Sequence, residues 1–470
     1  MKIVSLINHH NSFTILTLCE LLSNKYNDIE NHSVTHKKFY LRFKSSFLKY
    51  NVEPILIDSN KIITSKTKES RKNKKTKNYA NKIENKYIFK LFLGIKSIVI
   101  NSSIYLFLRE KYITLKMNYF KKKAFKILKN INPDILLTIN DRSYTYTEGS
   151  FLWAAKKLEI PIIITFAAQF NTSNAEIYRR DEEGNPLPSF SSNSHLSIYK
   201  LIARRVLKNQ IINNIFNQNV FTLMSAKSTG IISKNSWWPG CGICDAVLVD
   251  SLYRKNLYID NKVDESKIFI VGHPDYDLIF NSLKKRNIIR EKLSKEFPIN
   301  IFAPYIVFAV PQYYEQGDMS IKEHWELIES YIKSIKILKV NLLLSLHPRM
   351  IYEDYKFLEE KYECIIVNQN LSNFIGCADI FIATSSTTLS WSVLCDIPTI
   401  AVYGKSYYYE HLKSIYSEFD SNKLPDLIKK ILKNNKSCNN EDFLKLSRNE
   451  VFFGKSLDLH YKIFKNQIKN

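Results

Sequence analysis

Two polar clusters in the last third of the chain have residue types suited to phosphate. The stretch NLLLSLHPRM reads as a buried strand ending in His347-Pro348-Arg349. Thr384-Ser385-Ser386-Thr387-Thr388 stands where the next apolar run, DIFIA, stops and a helix is expected to open. In an open α/β sheet the strand ends line the ligand crevice. A helix N-terminus there favours anions. Together His347, Arg349, Thr384, Ser385, Ser386 and Thr387 are expected to form a phosphate or nucleotide site. Pro348 fixes the chain direction next to His347, and a cation follows directly.

Other strand ends carry titratable groups. Asn140-Asp141-Arg142-Ser143 closes one apolar strand, and Glu148 lies in the helix expected after it, near the crevice. His10 follows the N-terminal strand, and His273 sits in the Gly-His-Pro turn of GHPDYD. Each also has a plain structural reading: a helix cap for Asp141, a solvated loop for His10, an interdomain turn for His273. The loop PQYYEQG after residue 310 offers Gln312, Glu315 and Gln316 as hydrogen-bonding partners for a sugar or ribose. Cys241-Gly-Ile-Cys244 lacks the second pair that a zinc site requires and reads as a loop leading into a strand.

The elements that position these residues follow from hydrophobic pattern. Strands are expected at 2–7, 54–57, 135–139, 160–166, 244–249, 267–271, 305–310, 342–346, 364–367, 380–383 and after Pro398. Helices alternate with them, over 12–22, 144–158, 200–221 and 324–338 among others. With 470 residues the chain is too long for one ordinary core, and two α/β domains are expected, 1–290 and 291–470. The stretch LIFNSLKKRNIIREKLSKE (278–296) reads as polar, helical and linker-like, with the domain boundary near 285–300, and a terminal helix is expected to return to the first domain. The formal charge is +23. Much of it lies in a tract at 61–90, followed by an aromatic, Lys-studded apolar segment to about 115. This insertion suits the surface of an anionic membrane; its plain structural reading is a buried helix hairpin of the first domain. The basic tract has few aromatics for base stacking, so nucleic acid is not the expected partner. Seven scattered cysteines point to a reducing compartment. The N-terminus does not read as a signal peptide and no apolar run is long enough to span a bilayer. The expected location is cytoplasmic, peripheral on the inner face of the cell membrane. GxGxxG, GxxxxGKS, HExxH and GxSxG are all missing, which removes the main support for dehydrogenase, P-loop kinase, zincin and α/β-hydrolase readings.

The succession of a DSxxxxxL helix, a strand ending GHPxxD, and a domain whose strands end in PQ, HPR and TSS resembles the GT-B glycosyltransferase superfamily over roughly residues 130–405. Within it the chain is similar to bacterial capsule and lipopolysaccharide transferases. It also resembles the UDP-N-acetylglucosamine 2-epimerases that share the fold. The resemblance implies two Rossmann-like domains facing across a cleft, with the nucleotide mainly on the second. It implies donor contact for His347 and phosphate binding by Ser385, Ser386 and Thr387. In sialic-acid and Kdo transferases with HP and serine motifs the donor is a CMP-sugar; a UDP-sugar is the other option. The epimerases carry an acid after the serine motif and a glutamate past the second βαβ strand. Here Leu389-Ser390-Trp391 and Ala167-Ala168-Gln169 stand at those places. Proton removal at carbon needs carboxylates in reach, so transfer is favoured over epimerisation.

The activity that the resemblance implies is an inverting, metal-independent transfer without a cofactor, from a nucleotide-sugar to a glycan or lipid-linked acceptor of the cell surface. His347, Arg349 and the hydroxyls would stabilise the leaving phosphate. Asp141, then His10, Glu148 or His273, would supply the base. The alternatives are a 2-epimerase or nucleotide-sugar hydrolase on the same fold, and a basic membrane- or nucleic-acid-binding module without catalysis.

Overall fold

The computed structural model describes residues 1–8, 12–58, 103–142, 147–165, 220–232, 238–316, 318–347, 350–384, 386, 388–403, 415–434 and 441–469, with short pieces between 202 and 216. The basic tract at 61–90, the polar segment at 171–200 and Ala167–Gln169 lie outside the described residues.

The chain forms two compact units. One comprises Met1–Val249, Tyr253–Ile270 and Tyr461–Asn470, the other Asp250–Leu252 and Val271–His460. The first unit is built on a seven-stranded sheet of β1 (Lys2–Leu6), β2 (Glu30–Thr35), β3 (Ile55–Leu56), β4 (Ile135–Thr138), β5 (Ile162–Ile164), β8 (Ala246–Val249) and β9 (Ile268–Ile270). A separate antiparallel pair is formed by β6 (Ile211–Ile212) and β7 (Ile215–Phe216). The order of the sheet is β3-β2-β1-β4-β5-β8-β9, and every neighbour is parallel.

The second unit holds a six-stranded parallel sheet. Its strands are β10 (Tyr305–Ala309), β11 (Asn341–Ser345), β12 (Ile365–Ile366), β13 (Ile380–Ala383), β14 (Thr399–Ala401) and β15 (Ile415–Ser417), in the order β12-β11-β10-β13-β14-β15. Parallel strands are covered on both faces, so they read as unbroken apolar runs. YIVFA and IFIA are such runs. Their side chains alternate between two cores. Tyr305, Val307 and Phe381 point into one, Ile306, Phe308 and Ile382 into the other. The chain thus has the two-domain, parallel-sheet fold of GT-B type.

Most elements stand where the hydrophobic pattern places them. β2 was not expected. Its sequence, ENHSVT, is polar, yet Ser33 and Thr35 are buried. Hydrogen bonds offset the cost of this burial: Ser5 donates to Asn31 Oδ1 at 2.6 Å, and Thr35 donates to the Ile7 carbonyl. Of the helix expected over 200–221, residues 202–203 and 205–206 are helical, the β6–β7 pair interrupts it, and the helix Val220–Ser228 follows. The units divide near Val271, upstream of the expected 290. The linker-like stretch is in fact two helices, Asp275–Lys284 and Arg286–Glu296, whose Tyr276, Ile279 and Leu293 enter the second unit's core. Arg286 and Arg290 both pair with Asp379, and Asp379 Oδ2 accepts the Tyr305 N–H at 2.8 Å. The polar surface of this stretch hid these anchoring contacts.

The terminal helix Ser456–Lys469 begins in the second unit, and from Tyr461 onward it belongs to the first, as expected. Asp277 holds its start, accepting the N–H groups of Ser456 (2.8 Å) and Leu457 (3.1 Å). Nearby, Gly272 takes φ +73° where a Cβ would strike the Val451 carbonyl, so the turn before His273 requires glycine. Asp277→Ala is expected to cost about 1–3 kcal/mol in urea unfolding, because two buried amides lose their acceptor. His460 on the same helix is fully buried, and burial lowers its pKa from 6.5 to about 4. The unfolded chain takes up this proton first, so the stability His460 contributes is complete above pH 6.5 and lost as pH falls toward 4. Comparing His460→Gln with the parent over this window should remove up to about 3 kcal/mol of the acid-induced loss.

Candidate functional site

The second sheet reverses direction at β10. β11 and β12 lie on one side, and β13 to β15 on the other. Ala309 pairs with Ser345 and with Ala383, so three strands end at one level. The Val310 N–H continues the ladder to the Ser345 carbonyl at 3.0 Å. Three expected site loops leave from this switch point: Pro311–Gln316 after β10, His347 after β11, Thr384–Thr388 after β13. This is where doubly wound sheets open a crevice.

The loop after β10 is tied to the sheet's flank by a buried polar chain. His324 belongs to the helix Ile321–Lys336, whose start is fixed by a capping box between Ser320 and Glu323. His324 Nε2 lies 2.7 Å from the Tyr355 hydroxyl, and Tyr355 lies 2.6 Å from Glu315 Oε1. Tyrosine has one proton to give, and Glu315, as a carboxylate, only accepts. Tyr355 therefore donates to Glu315, and His324 donates from Nε2. Burial lowers the His324 pKa and keeps the ring neutral, which suits this tautomer. Burial and the adjacent carboxylate push the Tyr355 phenol up. The other oxygen, Glu315 Oε2, and Gln312 Oε1 are both buried without a hydrogen-bond donor among the described residues. Buried acceptors are normally satisfied, so these two mark a place for donors such as hydroxyls.

His347 is half-buried in a turn where the Met350 N–H reaches its carbonyl at 2.8 Å. Arg349, Ser385 and Thr387 lie outside the described residues, as does the side chain of Gln316. Thr384 is buried, and its carbonyl accepts the Ser386 N–H at 2.7 Å. Ser386 Oγ contacts Thr388 Oγ1 at 2.8 Å and accepts the Thr388 N–H at 3.3 Å. It thus caps the helix Thr388–Leu394, which is only seven residues long.

In the first unit, Asp141 is a structural group. It is buried, and its carboxylate accepts the N–H groups of Gly240 (2.9 Å) and Cys244 (3.3 Å). A Cβ on Gly242 would collide with it. Burial raises its pKa, opposed by those amides. The expected general base is therefore the pin of the 238–244 loop. Cys241 and Cys244 donate to carbonyls there, and burial pushes Cys241 up to about 11 and Cys244 well above its usual value. Glu148 is buried at the start of the helix Glu148–Lys157. His10 is outside the described residues. His273 belongs to the second unit, where its ring neighbours Trp391 at 6.1 Å and Nδ1 accepts the Asp275 N–H at 3.2 Å. Among the described residues no group of three His, Cys, Asp or Glu is placed to hold a metal ion. His324 and Tyr355 escaped the sequence reading: both sit on helices that show only an amphipathic pattern.

The fold has solved counterparts. A UDP-GlcNAc 2-epimerase from Neisseria meningitidis, bound to UDP-GlcNAc, matches over 100% of both chains at 12% identity, with a TM-score of 0.51. A UDP-GlcNAc 2-epimerase from Methanocaldococcus jannaschii, in complex with UDP-GlcNAc and UDP, matches over 99% of this chain and 100% of its own at 14% identity, TM-score 0.49. A glycosyltransferase from Rickettsia africae ESF-5 matches over 100% and 99% at 14% identity, TM-score 0.47. No family model and no curated protein matches the chain. At such identities the likeness establishes the fold alone.

Tyr355→Phe deletes one hydroxyl and leaves both His324 Nε2–H and Glu315 Oε1 buried without their partner. Urea unfolding is expected to show a loss of about 1–3 kcal/mol. A loss within error would mean that the loop does not depend on this chain of bonds.

Proposed function

We propose that the chain is a glycosyltransferase that moves a sugar from a nucleotide-sugar, CMP- or UDP-linked, to a growing bacterial surface glycan. The reading rests on one observation above others: the buried, unsatisfied oxygens of Gln312 and Glu315 at the switch point of the second sheet. A ribose or hexose presents hydroxyl donors to such acceptors. His347 from the neighbouring strand end, with Arg349, takes the phosphates, and the hydroxyls of Thr384 and Ser386 stand at the end of β13.

The acceptor hydroxyl attacks the anomeric carbon as the bond to the nucleotide phosphate breaks, with inversion. His347, Arg349 and the hydroxyls carry the charge that develops on the leaving phosphate, in place of a metal. Asp141 is no longer assigned as base, because its carboxylate is committed to backbone amides. His10, Glu148 and His273 remain for that role. The 2-epimerase reading is weaker. The helix after Ser386, TLSWSVL, has no acid to move a proton at carbon.

Thermal unfolding of the full chain with CMP, UDP, CDP and GDP tests the nucleotide assignment. One nucleotide at about 100-fold excess over its Kd is expected to stabilise the fold by about 2.7 kcal/mol. Gln312→Ala and His347→Ala should each cut that shift while leaving the ligand-free melt in place. If none of the four nucleotides moves the melt, the assignment is wrong. Incubation of the bound nucleotide's sugar derivatives with lipid-linked acceptors should then give an inverted linkage, unaffected by chelator. Epimerised sugar without transfer would replace this reading by the epimerase one.

A further inference from the structure

The Ser103–Ile131 helix of the first unit has one face in the core and one in solvent. Leu106, Glu110, Met117, Phe120, Ala124 and Leu128 are buried. On the opposite side, Leu108, Tyr112, Leu115 and Tyr119 are each 51–70% exposed, and Phe107, 52% exposed, flanks them. Positions 108, 112, 115 and 119 are spaced four, three and four residues apart, which places them in one stripe. Ile202, 51% exposed, follows this helix's N-terminal end through Ala203, which packs with Leu106. Single exposed apolar residues are ordinary, but a row of four on one helix is not.

Charge decides what covers the stripe. The helix has eight basic residues and a single acid, Glu110, which is turned inward. Lys111 and Lys122 lie along one edge of the stripe, and Lys126 continues its line toward the C-terminal end. All three are exposed. Lys111 sits 5.1 Å from the Phe107 ring, beside the apolar row. An apolar and aromatic row bordered by cations and free of exposed acids fits the interface of an anionic bilayer. A second copy of this helix would bring like charges together and is disfavoured. Among the described residues no helix is long and apolar enough to cross a membrane, so the helix would lie in the surface plane.

We propose that the Phe107–Tyr119 stripe of the Ser103–Ile131 helix inserts into the headgroup region of an anionic lipid membrane, with Lys111, Lys122 and Lys126 on the phosphates. Vesicle binding requires no turnover, so this proposal stands or falls separately from the transferase reading.

The test is co-sedimentation of the full chain with phosphatidylcholine vesicles, with and without about one part in four phosphatidylglycerol. Leu108→Ser/Tyr112→Ser/Leu115→Ser keeps every lysine and is expected to lower partitioning about 100-fold. Lys122→Glu/Lys126→Glu should weaken binding to the anionic vesicles about 10-fold or more and leave neutral vesicles unaffected. Because these positions are exposed, the melts of both variants should match the parent. In a third variant, Leu115→Trp, the emission of the introduced indole should shift to the blue on anionic vesicles. The proposal is overturned if the triple variant binds as the parent does, or if the indole emission of Leu115→Trp stays at its aqueous position. A change of oligomeric state in the triple variant with vesicle binding intact would assign the stripe to a protein interface instead.

Discussion

Parallel pairing of β10 between β11 and β13 is the constraint on which the candidate site depends. A parallel neighbour must be reached by a crossover, and the crossovers run to opposite sides of β10. At such a strand the loops on either side part company, which is where doubly wound sheets hold their ligands. The register then sets the level of every group there. Ala309, Ser345 and Ala383 stand abreast, so the loops bearing Gln312, His347 and Thr384 start from the same height. A slip of one residue in β10 would exchange its two side-chain faces and carry Tyr305 and Val307 into the wrong core.

The opposite end of the same strands is fixed by charge. Asp379 accepts the Tyr305 N–H and pairs with Arg286 and Arg290, and Arg290 also donates to the Cys377 carbonyl at 2.9 Å. The two arginines come from the helix that precedes β10, so one carboxylate ties together the starts of β10 and β13 and their covering helix. With that end held, the loops at the other end are free to be specified by their own chemistry. The bond chain from His324 through Tyr355 to Glu315 does this for the β10 loop.

The fold was legible because buried parallel strands announce themselves. YIVFA, IFIA, ILLT and AVLV are apolar on both faces and end in polar loops, and the pattern places all four. What was not legible shares one cause: polar residues satisfied by distant partners look like surface. ENHSVT reads as loop until Ser5 and Ile7 stand beside it. The stretch from Arg286 reads as a linker until Asp379, far along the chain, pairs with it. Among the site residues, the loops of Gln312, His347 and Thr384 were found from their places at strand ends. Their supports His324 and Tyr355 were not, because a buried histidine on an amphipathic helix gives no local sign of the tyrosine it meets.

Carboxylates at loop starts show why residue type and position underdetermine chemistry. Asp141 follows a strand, Asp379 precedes one and Asp277 lies in the first turn of a helix, and each accepts backbone N–H groups. An acceptor with backbone donors already in place is a fastener: its charge is held by the fold, and moving a proton to it would break the loop it organises. Glu315 differs in kind. One of its oxygens is held by Tyr355, which fixes the side chain, and the other is buried without a hydrogen-bond donor among the described residues. A carboxylate held at one oxygen and unsatisfied at the next keeps an acceptor open to a donor that the fold does not supply. The distinction turns on how many lone pairs the fold itself has claimed. By that measure Gln312 and Glu315 keep lone pairs that the fold has not claimed, whereas those of Asp141 are spent on the scaffold.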